Sequence, residues 1–254
     1  MRMRRGGAFL LMLLAGCGSP LERPLESAPP APQIPHPDRA QPAPAAPVRI
    51  LALGDSYTIG ESVAESERWP VQLAAQLREA GIMTETPEII ARTGWTTDEL
   101  NAGIDRARPQ GPYEIVTLLI GVNNQFRGRS EAEFRTQFRA LLARAIEFSR
   151  GHEASRVLVL SIPDWGAMPF GARYDPAKVS REIDRFNAIK KEETDQAGAR
   201  WIEITALSRE VRSKPELGAN DGLHPSGAQY TAWVERALPA AREALAGTPT
   251  GASK

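Results

Sequence analysis

A chain of 254 residues, 42% hydrophobic and 24% charged, has the balance of a soluble globular protein built as one large domain or two small ones. Its 31 Lys and Arg against 31 Asp and Glu give a net charge of zero, which implies neither a nucleic-acid partner nor an acidic binding surface. The single cysteine, Cys17, excludes a disulfide within one chain and leaves the remainder without a thiol nucleophile or thiolate ligand.

Residues 1–16 read as an export signal, with Arg2, Arg4 and Arg5 at a basic start and an apolar core from Ala8 to Ala15. That core is too short to stay in a bilayer as a spanning helix. Leu14-Ala15-Gly16-Cys17 resembles a bacterial lipobox, which implies cleavage before Cys17 and lipid on its thiol. Several acyl chains would hold such a protein firmly to a membrane. Gly18 stands where lipoproteins kept at the inner membrane commonly have Asp, so the expected place is the cell envelope, facing periplasm or surface, at the outer membrane in a Gram-negative host. Residues 17–47 form the tether, and 20–47 hold ten of the chain's 21 prolines. Such a segment cannot bury a core and is expected to be extended, with a reach of roughly 85 Å at about 3.1 Å per residue. His36 lies inside it.

From Val48 onward, strand-like and helix-like segments alternate. Arg49–Leu53 is a short apolar run that stops at Gly54. Trp69, Leu73 and Leu77 mark one face of a helix that stops near Gly81. Pro87–Arg92 reads as a strand, and Thr96 with Glu99 as the capping box of a helix. Ile115–Ile120 is a third strand. A long helix opens at Ser130 with Glu133 and buries Phe134, Phe138, Leu141, Leu142 and Ala145, and its Arg135, Arg139 and Arg144 are expected on a solvated face. Val157–Ile162, a helix marked by Val179, Ile183, Phe186 and Ile189, and Trp201–Ile204 follow. The last helix carries Tyr230, Trp233, Val234, Ala237, Leu238 and Ala241, with a bend expected at Pro239. Five strand–helix units predict a single α/β domain over 48–246, a five-stranded parallel sheet with helices on both faces, and a flexible tail over 247–254. Chemistry in such sheets gathers beyond the carboxyl ends of the strands, here the loops from Gly54, Thr93, Gly121, Pro163 and Thr205.

In 54-GDSY-57, Ser56 is either a nucleophile or a turn and N-cap residue, and nothing local decides between them. A nucleophilic serine needs a base, and the chain has three histidines. His36 is in the tether, and His152 precedes the fourth strand at the opposite end of the sheet. His224 stands in 220-NDGLHPSG-227, three residues after Asp221, whose carboxylate can fold back onto the imidazole across Gly222. Asp164 is the rival acid. Two further loops offer donors for a developing oxyanion: the Asn123 amide in 120-IGVNNQ-125, and the Gly94 N–H in 92-RTGWTT-97, where no side chain obstructs close approach.

Gly54-Asp55-Ser56-Tyr57, then Gly94, then Gly121-Val122-Asn123-Asn124, then Asp221-Gly222-Leu223-His224-Pro225 resemble, in this order, the blocks of the SGNH or GDSL-type hydrolase family. The resemblance covers about 48–246 and implies a three-layer α/β/α, flavodoxin-like fold. It implies Ser56 as nucleophile, His224 as general base, Asp221 as its orienting acid, and the Ser56 N–H, Gly94 N–H and Asn123 amide as oxyanion hole, with no cofactor and no metal. Tyr57 departs from the Leu of the family name, and Asn124 from a frequent Asp. The loop 161-SIPDWGAMPFGARY-174 is expected to wall the pocket with Trp165, Met168 and Phe170, with Tyr57, Trp95 and Asn124 as further pocket candidates.

The reading that follows is a monomeric serine esterase acting on a carboxylic, lysophospholipid-like or O-acetyl ester, held to a membrane through Cys17. A carbohydrate O-acetylesterase and a non-catalytic glycan- or lipid-binding lipoprotein are the alternatives. A flavodoxin-like cofactor protein fits less well because G-x-G-x-x-G is missing, and a metal hydrolase because H-E-x-x-H is.

Overall fold

The computed structural model describes residues 46–247. The signal segment, Cys17, nearly all of the tether and the tail after Gly247 lie outside the described residues.

Strand β1 (Ile50–Gly54) is interior, paired in parallel with β2 (Glu88–Ala91) on one side and β3 (Ile115–Leu119) on the other. β3 continues to β4 (Val157–Leu160) and β4 to β5 (Arg200–Ile202), giving the all-parallel order β2-β1-β3-β4-β5. Every residue of β1, β3 and β4 is buried, because helices cover both faces, and this is why these strands read as unbroken apolar runs. The edge strands β2 and β5 are partly exposed and admit Glu88 and Arg200.

Helix α2 (Trp69–Glu79) buries Trp69, Leu73, Ala74 and Leu77 and packs on α8 (Gly227–Ala246), which runs through Pro239 without a break. On the other face α3 (Thr97–Ala107), α5 (Glu131–Phe148) and α6 (Pro176–Ala197) pack in a row. Their starts follow side-chain capping: Ser130 accepts from the Glu133 N–H, Asp175 from Lys178, and Thr96 with Glu99 forms the reciprocal box. The arginines of α5 do not form a simple solvated face. Arg135 and Arg139 both pair with Glu193 of α6, itself 2% exposed, and Arg144 reaches Asn101 and Asp105 of α3. They tie neighbouring helices together.

Three short helices, absent from the expected elements, follow strand ends: α1 (Ser56–Ile59), α4 (Val122–Phe126) and α7 (Thr205–Arg209). The first two lie beyond β1 and β3, where connections leave the sheet in opposite directions. That switch point is the crevice in which open α/β sheets bind ligands.

Candidate active site

At the end of β1 the chain turns at once into α1. Gly54 permits this, since a Cβ there would stand 2.1 Å from Thr58 Oγ1 and 2.5 Å from the Leu119 carbonyl. Asp55 takes the N-cap, its Oδ1 accepting from the Tyr57 N–H at 3.1 Å. Ser56 is thereby the first residue of α1 and not its cap, and its side chain lines a cavity of about 250 Å³.

A second turn delivers Asn123 to the same cavity. Gly121 has φ 123°, with Phe134 and Ile162 packed where a Cβ would go. Asn123 then lies on the first turn of α4, and its Nδ2 donates to the Trp95 carbonyl at 2.9 Å. The third loop lies alongside. Gly94 has φ 85°, and its carbonyl accepts from Arg127 Nη2 at 2.6 Å, but Gly94 is not among the residues that wall the cavity.

The loop before α8 supplies the fourth element. Ala219 N–H to His224 O, at 2.8 Å, and Ser226 N–H to Leu217 O close its base, and Gly222 turns it with φ 70°. Asp221 Oδ1 accepts from the Leu223 and His224 N–H groups, each at 2.9 Å, while Oδ2 lies 2.6 Å from His224 Nδ1. Facing a carboxylate, Nδ1 is the protonated nitrogen, which leaves Nε2 as the acceptor on a ring that lines the cavity. Partial burial disfavours the Asp221 charge, but the hydrogen bonds from His224, Leu223 and Ser62 outweigh it and hold the carboxyl well below the usual range. Ser56 and His224 line the same cavity with no hydrogen bond between them.

The rest of the wall is apolar. Tyr57 stands edge-on to the His224 ring at 5.5 Å, and Trp165, Phe170, Phe126, Val122 and Leu223 complete it. The Trp165 ring is fixed from behind by Nε1 to Gln125 Oε1, 2.8 Å, with Gln125 bonded in turn to Glu182.

Of the expected residues, Ser56, Asn123, His224, Tyr57, Trp165 and Phe170 line this cavity, and Asp221 supports it from behind. Three pocket expectations are corrected. Asn124 is fully buried, its amide clasping Thr97 N–H and Oγ1 at the start of α3. Trp95 turns onto α3, its ring packed against Gly103 under Arg106. Met168 lines a separate cleft of about 780 Å³ on the far side of its loop, with Val211 and Arg212. The rival Asp164 is sequestered as a cap for Gly166 and a partner of Ser180 and Arg209. His152 precedes β4 and bonds the Glu147 carbonyl. Sequence reasoning missed Val122, Phe126, Leu223 and Ser62. Phe126 follows from Val122 at helical i+4 spacing, but Ser62 had no such signal.

Among the described residues no group of three His, Cys, Asp or Glu side chains is placed to hold a metal ion, and no helix is long and apolar enough to cross a membrane.

Solved structures share this architecture. TesA aligns with a TM-score of 0.62 at 19% identity, over 78% of this chain and 99% of its own. The psychrotrophic esterase EstA from Pseudoalteromonas sp. aligns at 0.57 and 17%, over 78% and 99%. An acetyl xylan esterase from Geobacillus stearothermophilus aligns at 0.58 and 17%, over 76% and 94%. At these identities the likeness is one of fold. No curated protein sequence matches the chain. The GDSL-like Lipase/Acylhydrolase family model matches residues 52–232, and the chain belongs to that family, the SGNH or GDSL-type ester hydrolases.

Proposed function

We propose that this protein is a serine esterase that cleaves carboxylic esters through an acyl-enzyme on Ser56. The observation that carries the reading is the 2.6 Å bond from His224 to Asp221 on a ring that shares one apolar cavity with Ser56 and Asn123. As Ser56 Oγ attacks the ester carbonyl, its proton passes to His224 Nε2, and Asp221 stabilises the imidazolium. Negative charge gathers on the carbonyl oxygen, where the Ser56 N–H, the Gly94 N–H and the second Asn123 amide hydrogen are the candidate donors. His224 then protonates the departing alkoxide. Water, giving its proton to the same nitrogen, attacks the acyl-enzyme; the bond from the acyl carbon to Ser56 Oγ then breaks, His224 returns the proton to Oγ, and the acid leaves.

The cavity favours an apolar acyl or aryl group. Apart from Ser56, Asn123 and His224 its lining is hydrophobic or aromatic, and among the described residues no Lys or Arg lines it. Trp165 is only 3% exposed, too covered to serve as a stacking platform for a sugar ring, which weighs against an O-acetylated glycan. The lipobox-like Leu14–Cys17 supports placing this activity on a lipid anchor in the cell envelope.

The test is labelling with a fluorophosphonate beside turnover of p-nitrophenyl esters from acetyl to palmitoyl and of acetylated xylan. Covalent modification at Ser56 is expected, with Ser56→Ala reducing kcat by about 10⁴-fold or more. Short aryl esters should outpace both palmitoyl ester and acetylated xylan. Unchanged turnover in Ser56→Ala would remove the mechanism, and preference for xylan would move the assignment to glycan deacetylation.

A further inference from the structure

Immediately after α1 the chain makes a turn that reaches two of the other site loops. Gly60 ends α1 in the left-handed region, and the Glu61 N–H returns to the Ser56 carbonyl at 3.0 Å. Glu61 then accepts a hydrogen bond from the Thr93 hydroxyl, next to Gly94. Ser62 sends its Oγ–H to Asp221 Oδ2 at 2.7 Å, across 159 positions of sequence. Ser62 holds φ 67°, a left-handed conformation that disfavours any side chain beyond glycine. Glycine would fit this backbone better, but it would carry no hydroxyl.

We infer that Ser62 is a positioning residue of the proposed site, fixing the Asp221 oxygen that also accepts the His224 ring proton. The inference rests on the triad reading above. Oδ1 is held by two backbone N–H groups of its own loop, so among the described residues Oδ2 has only the imidazole and Ser62 to fix it. The Asp221 side chain is 31% exposed, so without Ser62 water competes for that oxygen and the carboxylate gains freedom to rotate. Ser62 touches neither the cavity nor the proposed reacting atoms. It acts through Asp221, and it ties that acid to the same turn that begins with the proposed nucleophile. Strained residues kept at such places are a recognised mark of a functional constraint.

Three substitutions separate hydroxyl from strain. Ser62→Ala removes the hydroxyl and keeps the strain, Ser62→Gly removes both, and Ser62→Thr keeps the hydroxyl. With p-nitrophenyl butyrate, kcat is expected to fall about tenfold in both Ala and Gly variants, as for the loss of one partly solvated hydrogen bond to a charged group. KM should stay unchanged. Ser62→Gly should melt above Ser62→Ala because its backbone is relaxed, and Ser62→Thr should retain most of kcat per folded molecule. If wild type is labelled by fluorophosphonate at Ser56 but the Ala and Gly variants keep kcat within about twofold, the role of Ser62 is wrong and the triad reading survives. Full kcat in Ser62→Gly with a loss in Ser62→Ala would likewise overturn it, by assigning the effect to strain. If wild type is not labelled at Ser56, the triad reading fails and the inference fails with it.

Discussion

Asn123 and Asn124 are chemically identical neighbours to which the fold gives opposite surroundings. Asn123 faces the cavity with one amide hydrogen donated to Trp95 O, leaving the second for a ligand. Asn124 is fully buried, with both its oxygen and nitrogen engaged by Thr97. Asn123→Ala is therefore expected to lower kcat by about 10²–10³-fold with little effect on the melting temperature. Asn124→Ala should do the reverse: it strands buried groups at the start of α3, costs about 1–3 kcal/mol of stability, and leaves kcat per folded molecule largely intact. Steady-state kinetics beside thermal melts decide the pair, and equal kinetic losses would refute the distinction. Ser56 and Asn123 could be singled out from sequence because each sits in a short block at a strand end, and Asp221 and His224 because they share a short block just before the last helix. The opposed placement of the two asparagines could not, because it depends on which side of a five-residue helix each one occupies.

At the scale of elements, five strands and five long helices were legible because their apolar spacing runs over several turns or several buried positions. Helices α1 and α4, at four and five residues, are too short to carry a period, yet they aim the proposed nucleophile and the amide donor. In the loop after β4, Trp165 and Phe170 line the cavity that Ser56 also lines, but Met168 turns to the other side, since a loop without regular geometry offers no rule for which side chains face inward. α4 itself depends on Gly121. An alanine there would have to keep φ 123° and place its Cβ 2.8 Å from Phe134 and 2.9 Å from Ile162. Backbone strain of about 1–3 kcal/mol and overpacking of similar size both act against it. Gly121→Ala should lower the melting temperature by several degrees and, by displacing α4, reduce kcat as well. A variant with unchanged stability and turnover would show that the turn tolerates a side chain.

The whole molecule carries two buried ionisable groups of opposite sign beneath this site that no local pattern announces, because Asp55 and Lys190 lie far apart in the chain. Lys190, fully buried on α6, donates from Nζ to the Ile120 and Leu160 carbonyls at 2.9 and 2.8 Å, joining the ends of β3 and β4. Asp55 is buried beyond β1, with Oδ1 capping α1 and Oδ2 without a partner among the described residues. Burial is the main cause in both, raising Asp55 to about 7 and lowering Lys190 to about 7 against their mutual attraction. The signs then separate the two along the pH axis. Folding raises the Asp55 pKa from 3.8, so its contribution is fully present below that value and is lost as pH rises to about 7. Folding lowers the Lys190 pKa from 10.5, so its contribution is present above that value and is lost as pH falls to about 7. Asp55→Asn isolates the first window, because an Asn oxygen can still cap Tyr57 while the ionisation is gone. Relative to wild type, the variant's melting temperature should climb between about pH 4 and pH 7 and then level off. A difference between the two proteins that stays constant over this range would mean that Asp55 keeps an ordinary carboxylate pKa in the fold, and that the charge is stabilised where the structure leaves Oδ2 unpaired.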